Sequence, residues 1–303
     1  MSPQAISVSD LEAAHARGRL AWSPERLREK ALHIRRDIIT LLSKSQTGHS
    51  GGPLSCADFG TALFFSELNV DPKNPAWPER DYWHFSIGHV TPAIYSLMAE
   101  RGYFPLKDLM KFRAFDGHAQ GHPSRHDTPG IEVSSGSLGQ GLSVCCGVAM
   151  ASRIDKNPRR SYCVMGDGEQ QEGQLWEAAM FAAHYKLDSL CGIIDYNHKQ
   201  IDGNVEDIMG IKPLAEKWRS FNWNVIECAG HDIEAVLRAF KAAREFKGRP
   251  SVIIADTVMG QGVSYMAGDY RWHGKPPKPD QAEQALVELG TSYAEWSARL
   301  LAN

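Results

Sequence analysis

Two hydrophobic rhythms alternate along the chain. The first is helical: Leu27, Ala31, Ile34, Ile38 and Leu41 recur on one face. Ser23-Pro24 precede them, an N-cap followed by proline at the first helical position, so a helix is expected from residue 24 to about 42. The same period returns in Leu175, Ala178, Ala179, Ala182 and Ala183, and again in Ile233, Val236, Leu237, Phe240 and Ala243. The second rhythm is a short apolar run, as at residues 161–165, 190–194, 223–228 and 251–257. Strands without polar alternation, separated by amphipathic helices, predict an α/β fold: one parallel sheet with helices on both faces. Further strands are expected just before Ser86 and from Ile131. Residues 56–68 read as a buried helix, and a helix of small residues should run from Gly141 to about residue 153. Its face of Gly141, Cys145 and Ala149 predicts close packing of another helix. Residues 71–77 and 204–210 read as loops, 213–220 as a short helix, and 279–303 as one or two surface helices. Residues 1–22 are expected to be an N-terminal extension with a short helix around residues 10–17, and 23–303 a single domain.

Composition narrows the class. The 303 residues carry a formal net charge of −3 with no basic block, which argues against a nucleic-acid partner. Residues 133–152 lack charge, but their Gly, Ser, Gln and Cys make them too polar to span a bilayer, so no membrane association is expected. The six cysteines form no Cys-x-x-Cys pair and sit mostly in apolar runs, as reduced thiols do. With no secretory pattern at the N-terminus, a cytoplasmic protein is expected.

The candidate chemistry centres on residues 166–203. The strand at 161–165 stops at Gly166-Asp167-Gly168-Glu169, and the strand at 190–194 ends at Asp195-Tyr196-Asn197. Glycines beside Asp167 let the backbone turn tightly and approach a bound group. Parallel strands joined by a helix cross over in one sense, so Asp167 and Asn197 emerge together at the carboxyl edge of the sheet, where such sheets bind ligands. A carboxylate and an amide carbonyl are hard oxygen donors, and with a diphosphate they suit Mg²⁺.

Gly-Asp-Gly followed thirty positions later by Asn197 resembles the thiamine diphosphate motif. The words between and after it, Gln171-Glu172-Gly173, Trp176-Glu177-Ala178 and Tyr185-Lys186-Leu187-Asp188, are similar to transketolases. Five other segments carry the same resemblance. They are Gly48-His49-Ser50-Gly51, with Ser50 where proline is usual; Ser86-Ile87-Gly88-His89, with Ile87 where asparagine is usual; Gly121-His122-Pro123; Gly136-Ser137-Leu138-Gly139-Gln140-Gly141; and Trp272-His273-Gly274-Lys275-Pro276. The resemblance covers roughly residues 10–290. It implies the diphosphate-binding domain of a transketolase, which moves a two-carbon ketol unit from a ketose to an aldose with thiamine diphosphate and Mg²⁺ (Ca²⁺ or Mn²⁺ as substitutes).

The resemblance also implies roles. His49 and His273 would transfer protons with donor and acceptor oxygens, and His122 would bind the donor's hydroxymethyl group. His89, with His273 and Lys275, would reach the diphosphate. Gly136, Ser137 and Leu138 would meet the aminopyrimidine, and Gly168 and Ile201 would pack against the cofactor. Asp167, Asn197 and the backbone carbonyl of Lys199 would hold the cation. Glu172 would lie at a subunit interface, in contact with the catalytic glutamate of the other domain, and the small-residue helix would meet a neighbour there. That pyrimidine-binding domain follows this one in the family, and the chain stops at Asn303. The expectation is therefore a split enzyme, an α₂β₂ assembly whose second chain supplies the pyrimidine-binding and C-terminal domains and the sugar-phosphate contacts.

Three other readings compete. The α subunit of a 2-oxo acid dehydrogenase shares the cofactor, but such chains usually lack the four histidines and the Trp-His-Gly-Lys-Pro segment. A non-catalytic binding or regulatory subunit would keep the fold without needing Asp167, Asn197 and the histidines. A zinc site could be read from His118, His122 and His126 at four-residue spacing. Gly117, Gly121 and Pro123 argue against the helix such a site needs.

Overall fold

In the computed structural model, which describes residues 13–303, helix α1 (Pro24–Ser45) opens the domain. The Ser23 side chain accepts from the Arg26 N–H, and Gln46, in the left-handed region at φ 51°, closes the helix three residues later than the periodicity predicts. The buried helix expected at 56–68 forms from residue 57 to 67, its last five residues π-helical. Helices α2 (Gly51–Ser55) and α3 (Ala57–Ala62) are followed by a π-helical turn, Leu63–Glu67. Strand β1 (Tyr82–Phe85), helix α4 (Thr91–Arg101) and helix α5 (Gly141–Ile154) come next. The central unit is β2 (Ser161–Gly166), α6 (Gly173–His184) and β3 (Leu190–Tyr196). A small hairpin, β4 (Lys199–Gln200) with β5 (Gly203–Asn204), leads to α7 (Val205–Met209) and α8 (Leu214–Ser220). Strand β6 (Asn224–Ala229), helix α9 (Ile233–Glu245), strand β7 (Ser251–Asp256) and helices α10 (Pro279–Glu288) and α11 (Tyr293–Ala302) complete the chain.

The five main strands form one sheet in the order β1-β2-β3-β7-β6, every pair parallel. Alternate side chains supply two cores. Val164, Ile193 and Ile253 face α1, α4 and α9, whereas Cys163, Met165, Ile194 and Val252 face Trp218 and Trp223 and the α5–α6 side. This is the two-faced burial expected of continuous apolar strands.

Several expectations are corrected. No strand forms at residues 131–135. Glu132 instead pairs with Arg80, the Ser134 hydroxyl accepts from the Arg125 N–H, and the glycine turn follows at once, leaving no ladder to build. Residues 204–210 are not a loop, since α7 occupies them. The small face of α5, expected to pack on a helix, is turned toward the chain's own core. It lies on the chain's own sheet, with the Cys145 thiol 3.8 Å from the Tyr162 carbonyl and no room for a side chain at Gly141 beside Ser86. The C-terminal helices are more than surface, because Leu286, Trp296 and Leu300 are buried in the core. Of the helix expected around residues 10–17, residues 10–12 lie outside the described residues, residues 13–14 are helical, and a turn follows at His15. The nearer part of the expected extension lies against the domain: Ala14 is buried, and Arg101 donates to the Ala14 and Gly18 carbonyls at 2.6 and 3.0 Å.

Candidate active site

The register of the sheet builds the site. Gly166 on β2 pairs with Asp195 on β3, so the residues just beyond them, Asp167 and Asn197, meet at the carboxyl edge. Asp167 is 2% exposed. Its Oδ1 accepts from the Gly168 N–H at 2.8 Å, and its Oδ2 from the His198 N–H at 2.5 Å. His198 adopts φ 65°, a left-handed turn that brings its N–H to the carboxylate. Asn197, 7% exposed, donates from Nδ2 to Asp195 at 2.8 Å and accepts at Oδ1 from the Lys199 N–H at 3.1 Å. Burial, followed by the nearby charge of Asp195, pushes the Asp167 carboxyl well above the usual carboxylate range. One buried carboxylate and one amide oxygen lie together at this edge, a pair of oxygen donors that suits a hard divalent cation, whose charge would offset that burial.

These residues line a cavity of about 450 Å³ together with His49, His89, His122 and His273. The ring centroids of His49, His89 and His273 lie 5.0–5.6 Å apart. His89 sits on a 3₁₀ turn directly after β1, and a Cβ on the preceding Gly88 would come within 2.8 Å of the Gly136 nitrogen. The glycine therefore lets the 135–136 loop lie against this turn. The His49 loop is joined to the His273 segment through Ser50, whose hydroxyl is 3.1 Å from the Trp272 carbonyl and 2.7 Å from that of Lys275. The residue that departs from the family pattern thus ties two histidine loops together. The His122 loop is held by Tyr95, which donates to the His122 carbonyl, and by Thr91 and Arg113, which both donate to that of Gly121.

Burial and mutual proximity keep these imidazoles neutral. His49 is lowered to about 4 by burial and then by His273, Arg113 and His122. His89 is lowered to about 3 by burial and the His273, His49 and His122 rings. Burial lowers His273 against an opposing effect of Asp202, and burial with Arg113 lowers His122. Nδ1 of His49 and Nδ1 of His273 are buried with no hydrogen-bond partner in the structure. Neutral rings with uncommitted nitrogens can accept or donate a proton at neutral pH.

Most of the residues singled out from sequence converge here. Glu172, Leu138, Gly168, Lys199 and Ile201 also line the cavity. Gly136, Ser137 and Lys275 do not. Gly136 lies beside His122, Ser137 is exposed, and the Lys275 ammonium rests 4.7 Å from the centre of the Trp272 ring. The other two members of the His-rich loop go elsewhere: His118 packs on Phe104, and His126 is exposed. Among the described residues, no group of three or more His, Cys, Asp or Glu side chains is placed to hold a metal ion.

Two lining carboxylates were not anticipated. Glu169, 1% exposed, accepts from the Gly139 N–H at 2.6 Å, the Gly166 N–H at 3.0 Å and the Ser86 hydroxyl, joining three loops of the site. Asp195 is buried next to Asn197. The signal for each was a carboxylate at the end of an otherwise apolar strand.

A parallel α/β sheet with a histidine-lined cavity and a pair of oxygen donors at its carboxyl edge defines a cofactor-dependent enzyme domain. Residues 28–298 match the family described as the transketolase, thiamine diphosphate binding domain, and the chain belongs to the transketolase family, a family of transferases. It is 42% identical over 268 residues to an apulose-4-phosphate transketolase subunit of Actinobacillus succinogenes, covering 88% of this chain and 97% of that one. It is 39% identical over 263 residues to a 6-deoxy-6-sulfo-D-fructose transketolase subunit of Clostridium sp., covering 87% and 96%. Among solved structures, the transketolase from Campylobacter jejuni superposes with a TM-score of 0.84 at 31% identity, covering 91% of this chain and 45% of that one. The chain thus spans less than half of that solved transketolase but nearly all of relatives named as subunits. Among the described residues no helix is long and apolar enough to cross a membrane.

Proposed function

We propose that this chain is the thiamine diphosphate-binding subunit of a split transketolase, transferring a two-carbon ketol unit from a ketose donor to an aldose acceptor. The observation that carries the reading is the meeting of four neutral histidines with Asp167 and Asn197 in one cavity at the sheet's carboxyl edge. The named substrates of the two relatives carry a phosphate and a sulfonate, which supports sugars with an anionic terminus as substrates here.

Thiamine diphosphate, when bound, supplies the electron sink that such a carbon–carbon cleavage needs. The chain's part is binding, orientation and proton transfer. Asp167, the Asn197 amide oxygen and the Lys199 carbonyl would hold Mg²⁺, and His89 would meet the diphosphate. Gly168, Leu138 and the exposed Ile201, which line the cavity, would flank the cofactor. His122 hydrogen-bonds the donor's terminal hydroxyl, while His49 and His273 exchange protons with sugar oxygens. Glu172, at the N-terminus of α6 and on the cavity wall, is the contact toward a second chain.

A partner subunit is supported by the relatives' designation as subunits and by apolar side chains left exposed beside the cavity. Ile201 is 62% exposed, and so is Met209, whose carbonyl accepts from the cavity-lining Gln171. The proposed partner carries the pyrimidine-binding and C-terminal domains in an α₂β₂ complex. Five of the six free cysteines are buried, which fits a cytoplasmic setting. The test is Asp167→Ala in the complex. Mg²⁺-dependent binding of thiamine diphosphate should be lost, with native assembly and unfolding midpoint retained. Unchanged cofactor binding would remove the reading in favour of a non-catalytic subunit.

A further inference from the structure

Asp195 lies between the two proposed cation-holding residues, and the chemistry above gives it no role. Its carboxylate is held from three elements. The Ser55 hydroxyl on α2 donates to Oδ2 at 2.5 Å, the Thr257 hydroxyl just past β7 donates to Oδ1 at 2.5 Å, and the Asn197 Nδ2 donates to Oδ2 at 2.8 Å. The Cys56 thiol adds a fourth, weaker donor at 3.6 Å. A carboxylate has about four lone-pair sites. Three of these donors share Oδ2, so the oxygen that meets Asn197 has nothing left with which to ligate a cation itself.

The contact to Asn197 has a directional consequence. An asparagine side chain presents an oxygen at one end and an NH₂ at the other, in nearly the same shape. For a cation the two ends are opposite, because the oxygen attracts and the amide hydrogens repel. A carboxylate only accepts, so Asp195 admits only the NH₂ end of Asn197. The Lys199 N–H only donates, and it meets the oxygen end at 3.1 Å. A flipped amide would set oxygen against oxygen at one contact and N–H against N–H at the other. Burial of Asp195 at 1% exposure removes the water that could rescue the flipped form.

We infer that Asp195 is a positioning residue: it fixes the Asn197 amide so that the oxygen, not the NH₂ group, is offered to the divalent cation of the diphosphate site. The inference rests on the reading that Asp167 and Asn197 hold that cation. Ser55 and Thr257 hold Asp195 in turn, so the orientation is set by α2 and β7 as well as by β3.

The test is the Mg²⁺ concentration needed for half-maximal thiamine diphosphate binding, followed by circular dichroism or calorimetry on the complex with its partner chain. Asp195→Leu removes the acceptor and should raise that concentration about 10–100-fold, as loss of an outer-shell partner does. Asp195→Asn can keep an oxygen toward Asn197 while its NH₂ donates to Thr257, and should stay near wild type. In an Asn197→Asp background both ends of residue 197 are alike and orientation ceases to matter, so adding Asp195→Leu, which also relieves a contact between two carboxylates, should not raise the Mg²⁺ requirement. Equal losses in both backgrounds, or no loss in either, would overturn the inference. If Asp195→Leu does not fold, Thr257→Val frees one side of the carboxylate while keeping its shape. The same background comparison then decides. Asp167→Ala without effect on the Mg²⁺ requirement would instead remove the cation reading itself, a separate failure.

Discussion

At the scale of single residues, the site depends on rings kept neutral by burial. His49 and His273 carry uncommitted buried nitrogens and face one another across 5.6 Å. Replacing His49 by alanine should lower kcat/KM for ketol transfer by roughly 10²–10⁴, the usual contribution of a positioned acid or base, with cofactor affinity little changed. Steady-state kinetics and a cofactor titration separate the two effects. The same burial makes stability depend on pH. His33 and His89 are lowered to about 3 and His84 to about 4, each chiefly by burial. Between about pH 6.5 and pH 4 the unfolded chain binds protons that these folded-state rings refuse. Their neutral-state stability is complete above pH 6.5 and declines as the pH falls toward 4, by up to about 1.4 kcal/mol per pH unit per histidine. Urea midpoints at pH 7 and pH 5 check this; a midpoint that does not drop would contradict it. The histidines were legible because glycines surround them in distinctive words. Asp195 and Glu169 were not, since a carboxylate at a strand end looks the same whether it is solvated or buried under three donors.

At the scale of elements, periodicity located α1, α6, α9 and four of the five main strands' spans to within a few residues, because continuous apolar runs have few alternatives in a two-faced sheet. Helix α4, buried on every side, went unanticipated. Periodicity also failed where side chains decide. Residues 131–133 are apolar enough for a strand, yet the Arg80–Glu132 pair and the loop against Gly88 hold them in irregular backbone. The β4–β5 hairpin is too short to leave a pattern, although its turn presents Ile201 beside the cavity. The element that most needs support is the 136–139 loop, and Glu169 supplies it. Glu169→Gln keeps one acceptor oxygen for the Gly139 and Ser86 donors but must set an NH₂ against the Gly166 N–H, or the reverse. It should cost about 1–3 kcal/mol of stability and weaken thiamine diphosphate binding while leaving the Mg²⁺ requirement set by Asp167. Urea denaturation and cofactor titration read the two separately; a stable variant with native cofactor affinity would show the loop needs no such tie.

At the scale of the whole molecule, the C-terminal helix is locked to the domain by a buried charge network far from the cavity. Glu100, 0% exposed, pairs with Lys30 at 2.5 Å and Arg299 at 2.6 Å, while Trp296 donates to the equally buried Asp37 at 2.8 Å. Removing one partner strands a buried charge, so Arg299→Ala should destabilise the chain by about 3–5 kcal/mol. The loss, measured by urea unfolding, should leave the cofactor's affinity for the folded protein intact. The larger question at this scale is whether the cavity works alone. The chain holds the diphosphate half of a site whose relatives are named as subunits, and apolar side chains stand exposed at its edge. The most direct measurement is ketol transfer from a ketose donor by the highly purified chain, with thiamine diphosphate and Mg²⁺, before and after adding the second chain that co-purifies with it. The account predicts no turnover from this chain alone and cofactor-dependent turnover that saturates at one second chain per copy. Turnover by the isolated chain, or none after a partner carrying a pyrimidine-binding domain has assembled with it, would contradict the account.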